Sequence, residues 1–193
     1  SSSASDVYKR LGRQEYPVRP ASFTCVSRDT LQYAAYGSNL HPVRLGERVS
    51  SARLLGTACM SDWSLEFHKV SLDGSAKCSI SRGSTGVYVA VFDMSSTDKA
   101  ALDAIEGAGI GYSEITLDVP DYGACFSYVA TESHIDESLA PYDWYKALVI
   151  AGARTHSFPD SYVESIRQVS AQRDPDDARH QQMWDIVSRV NRA

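Results

Sequence analysis

The chain has 193 residues, enough for one ordinary domain and short for two, and its 43% hydrophobic and 22% charged content is that of a globular protein. A net charge of −5 provides no basic footprint for nucleic acid, and no apolar run approaches the roughly 18–20 residues that span a bilayer. The four cysteines, Cys25, Cys59, Cys78 and Cys125, have neither C-x-x-C spacing nor a neighbouring His. They are expected to be reduced, mostly buried and free of metal, as suits a cytoplasmic protein. The visible start, Ser1-Ser2-Ser3-Ala4-Ser5, lacks the charged and apolar regions of a signal peptide.

In chain order, residues 1–28 are polar and broken by Pro17 and Pro20. They read as a loosely ordered arm with one short helix around Val7 to Leu11, ahead of a single domain over 29–193. Leu31 to Ala35 is a buried strand; Ala52 to Met60, Ser64 to His68 and Lys77 to Ser81 follow as strands. Gly86 to Phe92 is nearly continuous in β-formers, which predicts an interior strand covered on both faces. Ser95 to Ile105 switches to a helical period behind a Ser95-x-x-Asp98 pair resembling a capping box, and Gly107 and Gly109 end it. Tyr112 to Val119 and Cys125 to Thr131 make a hairpin about Pro120-Asp121-Tyr122-Gly123. Three helices close the chain: Tyr142 to Ala153 stopped near Gly152, Ser161 to Gln172, and Asp176 to Val190 with Met183, Ile186, Val187 and Val190 inward. The expected fold is α+β, a small, mostly antiparallel β-barrel or sheet with flanking helices.

Two places in this pattern carry chemistry. The first strand runs straight into Tyr36-Gly37-Ser38-Asn39 and then into the helix-like His41-Pro42-Val43-Arg44. Such a turn presents successive backbone N–H groups to an anion, a carboxylate or a developing oxyanion, and the glycine lets a ligand touch backbone. Taken alone it reads more readily as a plain strand–helix connection with Ser38 or Asn39 as N-cap, because short Gly-Ser-Asn turns are common. The second place is Glu106, at the carboxyl end of the 95–106 helix and just before the bend Gly107-Ala108-Gly109-Ile110-Gly111. The negative end of the helix dipole disfavours an ionised carboxylate there, where Lys or Arg is the usual choice. A carboxylate in that position beside a glycine-rich bend suits a general acid/base; an exposed Glu106 with no role remains the alternative.

Together, Tyr33-Ala34-Ala35-Tyr36-Gly37-Ser38-Asn39-Leu40, Leu102-Asp103-Ala104-Ile105-Glu106-Gly107 and Tyr145-Lys146 through Gly152-Ala153 resemble the γ-glutamylcyclotransferase family over residues 31 to about 170. The resemblance implies a small barrel with flanking helices and a cavity between the first-strand turn and the glutamate. It further implies release of a γ-glutamyl group as 5-oxoproline. Tyr33, Tyr36, Gly37, Ser38 and Asn39 would hold the glutamyl moiety, Glu106 would be the acid/base and Tyr145 would line the pocket. Tyr112 falls about one residue short of the aromatic that follows the family's glycine bend and is left unassigned.

This chemistry suits the residues. The substrate brings its own nucleophile, the α-amino group, and its own electrophile, the γ-carbonyl, so ring closure calls for no enzyme nucleophile, cofactor or metal. The histidines, His41, His68, His134, His156 and His180, are scattered and read as surface or structural. Ser81 to Gly86 lacks the Lys-Ser/Thr of a phosphate loop, and Asp174-Pro175-Asp176-Asp177 is an acidic helix start. The partner expected is a small-molecule γ-glutamyl substrate or γ-glutamyl isopeptide. The leaving amine stays open among an amino acid, the cysteinylglycine of glutathione, a lysine side chain and other amines. The competing reading is a non-catalytic small-molecule or protein-binding domain of the same fold.

Overall fold

The computed structural model describes residues 29–192. The expected arm over 1–28, its short helix and Cys25 lie outside the described residues. Seven strands are formed: β1 Thr30–Ala35, β2 Arg53–Met60, β3 Trp63–Val70, β4 Ala76–Arg82, β5 Val87–Ser95, β6 Tyr112–Val119 and β7 Gly123–Ala130. The helices are α1 Pro42–Arg48, α2 Lys99–Glu106, α3 Asp143–Thr155, α4 Asp160–Gln168 and α5 Asp177–Val190, with 3₁₀ turns at Ser38–Leu40, Ser96–Asp98 and Glu132–His134.

The strands make a five-stranded sheet in the order β2-β5-β1-β7-β6 and a separate β3-β4 pair, so the barrel-or-sheet expectation resolves as a sheet. All pairings are antiparallel except β1 with β7, which meet in parallel at Tyr33 and Phe126. β5 lies inside the sheet with Val87, Val89, Ala90, Val91 and Phe92 buried, which explains its unbroken apolar run: both faces are covered. β1 lies between β5 and β7, and its last residues, Tyr33 to Ala35, are buried. The chain leaving β1 therefore starts its turn from a fixed point in the core. Among the described residues no helix is long and apolar enough to cross a membrane.

Three expected details take a different form. The pair Ser95 and Asp98 does not close a reciprocal capping box. Ser95 Oγ accepts from Thr97 N–H, while the Asp98 carboxylate accepts from Ser51 N–H and Oγ–H, and Ser51 Oγ accepts Ser95 N–H at 2.9 Å. Ser51, outside the helix, thus bridges the two groups that the box would have joined. α4 ends at Gln168 because the following segment turns back onto the start of α3: Asp143 N–H donates to Gln172 O at 2.9 Å and Gln172 N–H to Pro141 O at 3.0 Å.

The third difference bears on function. Gly152 does not stop α3, which continues to Thr155. A Cβ at Gly152 would come within 2.5 Å of Leu40 Cβ and 3.0 Å of His41 N. A glycine inside a helix costs about 1 kcal/mol against alanine. Here it lets the backbone of α3 press against the 3₁₀ turn after β1, with Leu40 fully buried between them. That turn is pinned from the strand on one side and from α3 on the other.

Candidate active site

β1 delivers Tyr33 and then Tyr36 and Gly37 to the edge of a cavity. The 3₁₀ turn that follows uses one internal backbone bond, Leu40 N–H to Gly37 O at 3.0 Å. The N–H groups of Gly37, Ser38 and Asn39 meet no acceptor among the described residues. The N-cap of α1 is neither Ser38 nor Asn39 but His41, whose Nδ1 accepts Val43 N–H at 3.3 Å, with Pro42 at the first helical position. The plain-connection reading required one of those two residues as cap. His41 does that work and leaves Asn39 for another role.

Asn39 is buried and its amide is fully engaged. Its Nδ2 donates to Glu106 Oε1 at 2.9 Å and to Tyr33 Oη at 3.2 Å, and its Oδ1 accepts from Arg48 Nη1 at 3.0 Å. Arg48 Nη1 also reaches Glu106 Oε1 at 3.4 Å. Glu106 is the last residue of α2, and Gly107 turns the chain away in the left-handed region at φ 69°. The carboxylate is therefore not left alone at a negative helix end: an amide and a guanidinium hold one of its oxygens, and Oε2 accepts from no described residue. Asn39 thus touches the carboxylate directly, which makes it a positioning group for Glu106.

Around this pair stand five tyrosines and a cysteine. Tyr36 Oη donates to the backbone carbonyl of Tyr128. Tyr112 Oη donates to Cys78 O at 2.6 Å, and Tyr145 Oη accepts Cys78 N–H at 3.1 Å, so two side chains grip the backbone of one residue of β4, on either side of its Cα. Burial, with the charge of Glu106 adding to it, raises Tyr33, Tyr36, Tyr112 and Tyr145 above the ordinary phenol range. All remain neutral donors. Burial also pushes the Cys78 thiol up to about 12, which leaves it unionised and a poor nucleophile.

The structure brings Tyr33, Tyr36, Gly37, Ser38, Asn39, Glu106 and Tyr145, all seven residues singled out from sequence, to the wall of one cavity. Tyr112, left unassigned from sequence, lines it too, as do Tyr128 and Cys78. The Tyr112 ring enters because Gly109 and Gly111 fold the bend tightly, Gly109 N–H donating to Tyr112 O at 2.8 Å. Arg48 was missed: at the last turn of a helix it reads as an ordinary partner of the helix dipole. The cavity is narrow, 30 Å³, and opens beside a second one of 250 Å³ with which it shares Ser38, Glu106, Tyr112 and Tyr145. Among the described residues no group of three or more His, Cys, Asp or Glu side chains is arranged to hold a metal.

Comparison with known proteins finds relatives of this chain. The model of the AIG2-like family matches residues 86–166. A γ-glutamylcyclotransferase of Mus musculus is 29% identical over 152 residues, covering 73% of this chain and 79% of that protein. A solved γ-glutamyl cyclotransferase superposes with a TM-score of 0.72 at 26% identity, over 83% of this chain and 99% of the other. An uncharacterized protein of Homo sapiens superposes with a TM-score of 0.70 at 25% identity, over 83% and 99%.

Proposed function

Because the chain belongs to the γ-glutamylcyclotransferase family, we propose that it releases 5-oxoproline and a free amine from a γ-glutamyl amide. The substrate's α-amino nitrogen attacks its own γ-carbonyl carbon, a C–N bond closes the five-membered ring, and the amide C–N bond breaks. No water enters and no atom is lost, so the products sum to the substrate. Glu106 takes the proton that the attacking amine sheds and returns one to the departing nitrogen. Residues 29–193 form the catalytic domain.

The observation that carries this reading is the hold on Glu106. A general base needs a fixed carboxylate with one oxygen open towards the substrate. Asn39 and Arg48 fix Oε1 while Oε2 is unengaged. The rest of the site supplies orientation. The N–H groups of Gly37, Ser38 and Asn39 suit the α-carboxylate or the oxyanion, and Tyr36 and Tyr145 wall the glutamyl chain into the bent conformation in which amine meets carbonyl.

The test is direct. Purified protein incubated with a set of γ-glutamyl amino acids and amides should release 5-oxoproline and the free amine in equal amounts. Release of glutamate in place of 5-oxoproline would mean that water is the nucleophile and would overturn the scheme.

A further inference from the structure

The 250 Å³ cavity that adjoins Glu106 is where the leaving amine lies in the proposed reaction, and its charge is unusual. Arg44, Arg48, Lys69 and Lys77 all line it. Two of these cations are answered: Arg48 by Glu106 at 3.4 Å, and Lys77 by Asp73 at 2.7 Å. The other two are not. Arg44, on α1, is only 5% exposed, yet its guanidinium makes no hydrogen bond or ion pair with any described residue, and its Nε is buried without a partner. Lys69, on β3, places its ammonium 4.5 Å over the ring of Tyr112, with no carboxylate in reach among the described residues.

A guanidinium this nearly buried and left unpaired is costly, and a second unpaired cation on the same wall adds repulsion. Such an arrangement is favourable only when an anion completes it, and it suits planar oxyanions in particular. An ordinary amino acid brings one carboxylate, which balances one of the two charges. We propose that the leaving amine this site prefers is an amino acid carrying a second anionic group, a side-chain carboxylate or a phosphate, received by Arg44 and Lys69. The inference rests on the cyclotransferase reading and narrows its substrate class.

The experiment compares kcat/KM for γ-glutamyl-glutamate, γ-glutamyl-O-phosphoserine, γ-glutamyl-alanine and γ-glutamyl-ethylamide at low ionic strength. One or both acidic substrates should exceed γ-glutamyl-alanine by about tenfold or more, and whichever arm is higher identifies the second anion as carboxylate or phosphate. In Arg44→Met, which keeps an unbranched apolar stem in the buried position, the ratio of acidic substrate to ethylamide should fall about tenfold. Lys69→Met, on a different element and only half-buried, should lower the same ratio and serves if Arg44→Met does not fold. An alanine substrate turned over as well as the acidic ones overturns the inference and leaves the cyclotransferase reading standing. So does an equal loss on all four substrates in the variants, because the cations would then be holding the glutamyl part. No 5-oxoproline from any of the four overturns the reading itself, and the inference falls with it.

Discussion

Glu106 sits where a helix end repels it, and its neighbours compensate. The side chain is 19% exposed and its partner Arg48 27%, a setting in which an ion pair contributes no more than about 1 kcal/mol. Glu106→Gln removes that attraction and also removes a charge from the negative end of α2, so the two effects offset. The amide can still present its oxygen to Asn39 and Arg48, but it cannot carry a proton. The expected outcome is a melting temperature close to wild type with kcat reduced by about 10²-fold or more and substrate still bound. Turnover near wild type in a folded variant would refute Glu106 as proton carrier. Gly37 makes a different demand. Its φ of −110° is open to residues with side chains, so the requirement is space rather than backbone freedom. A Cβ there would lie 3.2 Å from Cys78 Cβ and 3.3 Å from Tyr145 Oη, and the added methyls of valine would push into the cavity. Gly37→Val should cost about 1–3 kcal/mol in stability and abolish measurable substrate binding. Calorimetric binding of a γ-glutamyl compound as tight as to wild type would return the turn to the status of a connection.

At the scale of elements, the site depends on one contact between a helix and a turn. α3 can approach the 3₁₀ turn only because Gly152 has no side chain, and the atoms that a Cβ would meet are Leu40 Cβ and His41 N, neither of them able to swing aside. Gly152→Ala gains helix propensity of about 1 kcal/mol, but overpacking against a backbone and a buried Leu40 costs about 1–3 kcal/mol and wins. The variant should melt lower and, because the turn carries Asn39, also lose kcat. A variant that melts higher with full activity would show that α3 and the turn have room to spare. The helix that begins after the turn has its own sensitivity. Burial, with His156 adding to it, holds the His41 imidazole below its ordinary 6.5, and only the neutral ring offers Nδ1 to Val43 N–H. An unfolded chain takes up this proton near pH 6.5 while the folded one resists until lower pH. Stability from this group is therefore complete above about 6.5, declines as pH falls below it, and levels off beneath the folded value. Melting temperatures between about pH 7.5 and 5 should fall less steeply for His41→Asn, which caps without titrating.

At the scale of the molecule, the helical layer is tied together by Asp174. It is wholly buried and accepts from Trp144 Nε1 at 3.0 Å, from Asp176 N–H at 3.0 Å, and from Arg179 Nε and Nη2 at 2.6 Å each, joining the start of α3 to the first turn of α5. Those bonds, Arg179's foremost, depress its carboxyl to about 2. Asp174→Ala leaves the Trp144 indole without a partner and Arg179 with only its longer 3.8 Å ion pair to Asp176, and should cost about 2–4 kcal/mol, read as a lower denaturant midpoint. A variant as stable as wild type would mean that α5 is held by its apolar face alone.

The strands, the helices and much of the cavity wall are legible in the linear chain, because these follow from local signals: period, β-formers, turn residues, and a carboxylate where a helix end disfavours one. Tyr36-Gly37-Ser38-Asn39 and Glu106 were legible for that reason, and the family resemblance added Tyr33 and Tyr145. What each residue touches is legible only in the folded chain. Gly152 reads locally as a helix stop, and only the approach of Leu40 makes it a contact site. Asn39 reads as a cap or a ligand group, and only the arrival of Glu106 and Arg48, 67 and nine residues away along the chain, turns it into a clamp. Tyr112 and Arg44 were hidden likewise, since a tyrosine at a strand start and an arginine in a short helix are ordinary until the fold shows what they face. Periodicity records which side of an element is buried. It holds no record of which distant residue lies against that side, because the packing that brings them together is set by the whole chain at once.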